Sequence, residues 1–136
     1  MAPDELAPDV TAADELAADG RKLAPVKGCL FCGIVAGAIP AARLREDSAT
    51  LIFADINPQA PTHVLVIPKR HCADIGQLGG DPATGAALLA AISAFAAENG
   101  LTDYRTVFNT GGAAGQSVFH VHAHLLAGRA MGWPPG

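Results

Sequence analysis

Residues 120–126 read His-Val-His-Ala-His-Leu-Leu. Strict alternation of this kind suits a β-strand, in which each side chain points away from the one before it. His120, His122 and His124 then project from one side, and Val121, Ala123 and Leu125 pack on the other. Same-face neighbours along a strand lie roughly 6.5–7 Å apart. Three of the five histidines in the chain are thereby drawn into one short row. Imidazole is a nucleophile, a proton carrier near neutral pH and a metal ligand, so this row is the first candidate for chemistry.

A chain of 136 residues has room for one domain and a modest tail. Alanine supplies much of the apolar fraction, so the core is expected to be lean. A formal net charge of -4 argues against a surface that coats nucleic acid. A single nucleotide is still allowed, because it needs only local donors. No apolar run is long enough for a membrane span, and the start Met1-Ala-Pro-Asp-Glu5 lacks the basic and apolar segments of a secretory signal. Three cysteines do not make a disulfide framework and suit a reducing, cytoplasmic setting.

Residues 1–27 are rich in Ala, Asp, Glu and Pro, and the expectation is a disordered acidic tail. The domain should occupy residues 28–136. Leu30, Ile34 and Val35 have helical spacing, giving a short helix over Cys29–Gly37. Arg43–Asp47, Thr50–Ile56 and His63–Pro68 read as three strands, separated by Asp47-Ser48 and by Asn57-Pro58-Gln59-Ala60-Pro61. Pro82–Asn99 is the one long helix, with Asp81 as its cap and Gly100 past its end. Tyr104–Asn109 and Val118–Leu126 complete five strands. Hairpin-ordered strands around one long and one short helix indicate an α+β fold with a mainly antiparallel sheet.

Directly upstream of the histidines lies Thr110-Gly-Gly-Ala-Ala-Gly-Gln-Ser117. Glycines let a turn present its N–H groups to an anion, and Gln and Ser add neutral donors, so the turn is a candidate phosphate cradle. The run Gln116-Ser-Val-Phe-His-Val-His-Ala-His-Leu-Leu126 resembles the signature of the histidine-triad family. Asp55–His63, Val66–His71 and the ending Gly128–Gly136 are similar to further motifs of that family, and the ending resembles its Hint branch. The likeness runs from about Cys29 to Gly136.

The resemblance implies a five-stranded histidine-triad fold whose sheets join across a homodimer. It implies a purine nucleoside phosphoramidate or acyl-nucleotide hydrolase, of adenosine 5′-monophosphoramidase type, that releases AMP or GMP. His122 would be the nucleophile and form a nucleotidyl-imidazole, with a carbonyl on its own strand orienting it. His124 would bond phosphate oxygens, with Ser117, the backbone around Gln116 and Asn109 beside it, and with His120 completing the catalytic triad. Asp55 would hold the ribose hydroxyls, as a carboxylate can accept from two donors. Phe31, Ile34, Phe53 and Ile56 would enclose the base, with His63 nearby and Trp133 reaching towards the partner's site.

Cys29-Leu-Phe-Cys32 alone suggests zinc or redox chemistry without choosing between them. By resemblance to bacterial members, Cys29, Cys32, His71 and His120 form a structural zinc site. Three other readings stay open at this stage. One is hydrolysis of dinucleoside polyphosphates, and another is a nucleotide sensor with vestigial activity. The third is a catalytic metal shared by the three histidines.

Overall fold

In the computed structural model, which describes residues 26–136, the apolar runs around Leu51 and Leu65 form the middle of a five-stranded sheet. The strands are β1 (Arg43–Glu46), β2 (Thr50–Ala54), β3 (Thr62–Pro68), β4 (Tyr104–Val107) and β5 (Ala123–Ala127), in the order β1-β2-β3-β5-β4. Every pairing is antiparallel, with Ile52 opposite Val66, Leu65 opposite His124 and Val107 opposite His124. The helices are α1 (Leu30–Val35), α2 (Ile75–Gly79) and α3 (Pro82–Glu98). Expectations for residues 1–25 lie outside the described residues.

Both faces of the central strands are covered, which explains why β2 and β3 are apolar almost throughout. On one face Ile52, Val64, Val66, Ala123 and Leu125 pack with Leu88, Ile92 and Phe95 of α3. On the other, Leu51, Phe53, Leu65 and Ile67 pack with Phe31 and Ile34 of α1. The apolar partners of the alternating histidines thus face α3, and the histidines share the side of α1. The small helix and the triad are neighbours because the pleat has a period of two.

Two expectations need correction. The last strand was expected to start at Val118, but β5 begins at Ala123. Continuing the ladder would set Pro68 opposite Val121, and proline has no N–H to donate. The Pro68 carbonyl bonds the His120 ring at 2.8 Å, and Val121 N–H turns to the Cys72 carbonyl. Residues 118–122 therefore approach β3 through side chains. The sequence reading also overlooked α2. Its signal was Asp74-Ile-Gly-Gln77: Asp74 Oδ1 accepts from Gln77 N–H, and Gln77 Oε1 accepts from Ala73 N–H, a reciprocal cap. The glycines at 76 and 79 hid it, since glycine is a poor helix former.

Arg70 ties the loop after β3 to α3 by an ion pair with Asp81, whose side chains are only 11% and 10% exposed. Asp81 also caps α3, accepting from Thr84 N–H and from Thr84 Oγ1–H. Removing one partner of a buried pair leaves the other charge uncompensated. Asp81→Ala is therefore expected to cost about 3–5 kcal/mol in denaturant unfolding. A loss below about 1 kcal/mol would be the value of a surface pair and would contradict the buried role.

Candidate active site and metal centre

Five imidazoles and one phenyl ring run in a line across the α1 side of the sheet. Ring centroids are 5.0 Å apart for His71 and His120, 5.2 Å for His122 and His124, and 5.2 Å for His124 and His63. Phe31 bridges the middle, 5.9 Å from His120 and 5.1 Å from His122. The line divides into two sites. His120 and His71 turn towards the cysteines, and His122, His124 and His63 turn towards a cavity.

At the first end, the donor atoms of Cys29, Cys32, His71 and His120 all lie within 4.8 Å of one another. Sulfur–nitrogen separations are 3.4 Å for Cys29 with His120, 3.4 Å for Cys32 with His71 and 3.5 Å for Cys32 with His120. A tetrahedral zinc with bonds of roughly 2.3 Å to sulfur and 2.0–2.1 Å to nitrogen spaces such ligands about 3.5 Å apart. His120 is fully buried, and its Nε2–H donates to the Pro68 carbonyl. That bond leaves the Nδ1 lone pair facing the sulfurs, as a metal ligand requires. Cys29 also caps α1 through Cys32 N–H at 3.3 Å. Hydrogen bonding from Cys32 holds the Cys29 thiol far below its usual range, to about 2, and the same contact, with burial, pushes Cys32 up. The four residues make a closed Cys2His2 donor set that fits zinc.

At the other end, Asp55, His63 and His124 also gather their donor atoms within 4.8 Å. Here the proton positions argue against a metal. His63 Nδ1 accepts from Gln59 N–H at 2.9 Å, so the neutral ring carries its proton on Nε2. That proton faces His124 Nδ1 at 2.9 Å and Asp55 Oδ2 at 3.4 Å. A metal on His63 Nε2 would need a proton on Nδ1, directly against the Gln59 N–H. The three form a hydrogen-bond relay. Since His124 accepts at Nδ1, its own proton sits on Nε2, and His124 is a donor.

His122 has the opposite arrangement. Its Nδ1–H donates to the His120 carbonyl at 2.9 Å, which leaves the Nε2 lone pair free. Burial lowers the proton affinity of both rings below the ordinary imidazole value, and the neighbouring histidines add to this. An aligned pair results, with a free ring lone pair at His122 Nε2 and a ring N–H donor at His124 Nε2. The triad histidines do not converge on one metal, because His120 faces the cysteines and His122 turns its Nδ1 to a carbonyl.

His122 and His124 form one wall of a cavity of about 610 Å³. Ser117, Asn109 and Gly115 stand beside them, and Phe31, Ile34, Phe53 and Leu65 form the apolar end. Phe31 and Phe53 meet edge-to-face at 5.5 Å. Among the described residues, Asp55 is the one acidic or basic side chain other than histidine that lines the cavity. Gly115 has φ +101° and lies against Asn109, with 3.5 Å from a built Cβ to Asn109 Nδ2. A larger and more open groove, about 960 Å³, lies by Tyr104, Arg105 and Arg129 and contains none of the histidines.

The family model described as the HIT domain matches residues 36–131. The chain belongs to the HIT-domain family. A 14 kDa zinc-binding protein of Zea mays is 41% identical over 121 residues, spanning 79% of this chain and 87% of that one. A HIT family hydrolase of Legionella pneumophila Philadelphia 1 has 49% identity and a TM-score of 0.76, covering 79% of this chain and 99% of that one. A histidine triad nucleotide-binding protein of Candida albicans has 33% identity and a TM-score of 0.69, covering 78% and 82%. The HIT match starts after Cys29 and Cys32, so this cysteine pair stands outside it.

Most residues singled out in the sequence meet around the HIT cavity: Asp55, Asn109, Ser117, His122 and His124, with Phe31, Ile34 and Phe53. Ile56 stands at its rim with its side chain fully exposed. His63 lies behind His124 as part of the relay. The Gln116 side chain is buried and braces the glycine turn: Oε1 accepts from Gly111 N–H, and Nε2 donates to the Ala73 and Val118 carbonyls. Its backbone N–H donates to the Gly111 carbonyl at 3.0 Å, and Gln116 does not line the cavity. Trp133 is 83% exposed and is not brought to the cavity of its own chain. Gln59, which sets the relay, escaped the sequence reading because it acts through its backbone N–H, and a backbone amide leaves no mark on residue type.

Proposed function

We propose that the protein hydrolyses purine nucleoside phosphoramidates and acyl-nucleotides, releasing AMP or GMP through a nucleotidyl-His122 intermediate. The observation that carries this reading is the complementary hydrogen bonding of two adjacent rings: His122 Nδ1 meets the His120 carbonyl and His124 Nδ1 meets His63 Nε2, from which a lone pair on His122 Nε2 and a proton on His124 Nε2 follow. His122 attacks the α-phosphorus as the P–N bond breaks; the departing nitrogen keeps the P–N electron pair and takes a proton through the Ser117 hydroxyl, which solvent replenishes, so the group leaves as a neutral amine. His124 donates to a non-bridging oxygen, so negative charge gathering there meets a fixed donor. Water then attacks phosphorus and gives up a proton to solvent, the P–Nε2 electron pair returns to His122, and the nucleotide leaves as its monophosphate with the neutral ring restored.

The lining of the cavity supports the ribose and base assignments. Asp55 accepts from the ribose hydroxyls, and the apolar end takes a purine without reading its edge. Cys29, Cys32, His71 and His120 hold zinc as a structural ion, in keeping with the name of the maize relative. The C-terminal ending supports the Hint branch, a homodimer, and Trp133 directed to the partner's cavity. No described helix is long and apolar enough to cross a membrane, and three free cysteines suit a reducing cytoplasm. The acidic stretch 1–27 is read as a tail outside the catalytic domain.

Among the described residues no Lys or Arg lines the cavity, which favours this reading over hydrolysis of dinucleoside polyphosphates. Extra phosphates would bring charge with no cation to meet it. With adenosine phosphoramidate and diadenosine triphosphate at equal concentration, kcat/KM is expected to favour the phosphoramidate by about 100-fold or more, as one uncompensated charge is worth several kcal/mol. Equal or better use of the triphosphate would overturn the assignment.

A further inference from the structure

The relay begins outside the cavity. The loop between β2 and β3 supplies the N–H that fixes the His63 tautomer, and two further bonds shape it: Asn57 N–H to Asp55 Oδ1 at 2.8 Å, and Gln59 Nε2 to the Asn57 carbonyl at 3.0 Å. The turn that follows β5 clasps this loop. Gly128 has φ +97°, and a Cβ there would meet Pro61 Cβ at 2.9 Å, so the turn is fitted against the loop at a distance only glycine permits. The next residue, Arg129, donates from Nε to the Gln59 carbonyl at 2.9 Å and from Nη1 to the Ala130 carbonyl at 3.0 Å. Gln59 is therefore held at both ends, by Arg129 at its C=O and by His63 at its N–H.

We infer that Arg129 is a positioning residue for the reaction: by anchoring Gln59 it keeps the Gln59 N–H on His63, and so keeps His124 a hydrogen-bond donor to the phosphate. The chain of bonds is continuous from Arg129 through Gln59 and His63 to His124. Each link fixes the direction of the next, because an imidazole that accepts at one nitrogen must donate at the other. If Gln59 swings away, His63 can carry its proton on Nδ1 and accept at Nε2. His124 then turns its proton inward and presents a lone pair to a phosphate oxygen, which repels it. Arg129 touches neither substrate nor reacting atom, and its effect is on which nitrogen holds the proton.

The inference rests on the proposed phosphoramidate chemistry for its kinetic consequence but not for its structural one. The test is therefore two-armed, on the full chain. Long-range ¹H–¹⁵N spectra of the imidazoles read the tautomers of His63 and His124 without substrate. Wild type should show His63 and His124 each protonated at Nε2, and Arg129→Ala should shift both towards mixed tautomers. Turnover of adenosine phosphoramidate should fall about tenfold in kcat with KM within twofold, the size of one lost oriented hydrogen bond. Arg129→Lys should recover much of the rate. Arg105→Ala serves as the control, since Arg105 holds the Gly132 carbonyl of the same terminal arm at 2.8 Å without touching Gln59, and its spectra should match wild type. Unchanged His63 and His124 spectra in a folded Arg129→Ala protein would overturn the inference. So would a tautomer shift with kcat intact. If wild type itself fails to turn over the phosphoramidate, the functional reading falls, and the spectra alone decide the role of Arg129.

Discussion

His122→Gly is expected to lose turnover of adenosine phosphoramidate by about 10⁴-fold or more, the scale of removing a catalytic nucleophile, while still binding AMP. Every other contact in the proposed mechanism has a partial substitute: water can replace a ribose hydrogen bond, and the glycine turn can share the phosphate with Ser117. Nothing else supplies the lone pair. His124 is the adjacent imidazole, but its Nδ1 is engaged by His63 at 2.9 Å and its Nε2 carries the proton, so it cannot take over as nucleophile. The substitution leaves the His120 carbonyl without its 2.9 Å partner beside a cavity that water can enter, so the fold should survive. Steady-state kinetics paired with equilibrium AMP binding make the check. Turnover within tenfold of wild type would contradict the nucleophilic role.

Cys32→Ala is the second large effect, and it acts on stability before activity. The helix that carries Cys32 is only six residues long, too short to persist by its own hydrogen bonds. Its N-cap is Cys29, and its first turn is held to His120 and His71 through sulfur–nitrogen contacts of 3.4–3.5 Å. A metal held about 1,000-fold above its dissociation constant contributes about 4 kcal/mol to the folded state. Zinc content measured by elemental analysis should fall from about one ion per chain to near zero, with a matching fall in unfolding free energy. Activity should fall too, because His120 carries both a metal-facing ring and the carbonyl that orients His122. A purified wild-type protein with no zinc, and a Cys32→Ala variant of equal stability, would refute the structural-metal reading.

The strands were legible because β2 and β3 are apolar on both faces and β5 alternates, and each pattern has one geometric solution. The triad and its division of labour were less so. Alternation placed three rings on one side, but it treated them as equals. Pro68 breaks the ladder, so His120 turns to the cysteines while His122 and His124 line the cavity. That outcome depends on Pro68, 52 residues away, which lacks an N–H for the ladder and offers its carbonyl to the His120 ring. Gln116 was read as a phosphate contact from its place in the glycine turn, and its side chain is consumed by bracing that turn. Gln59 was unreadable, since its contribution is a backbone N–H. Residue types announce side-chain chemistry, but the proton on each imidazole is set by neighbours that only the fold brings together.

The most direct measurement is mass spectrometry of wild-type protein mixed with adenosine phosphoramidate and quenched in alkali within the first turnover. The account predicts an adenylyl group on the peptide that carries His122, at the Nε2 position, and none in His122→Gly. AMP formed in that interval with no adduct on the wild-type protein, or an adduct on a different residue, would contradict it.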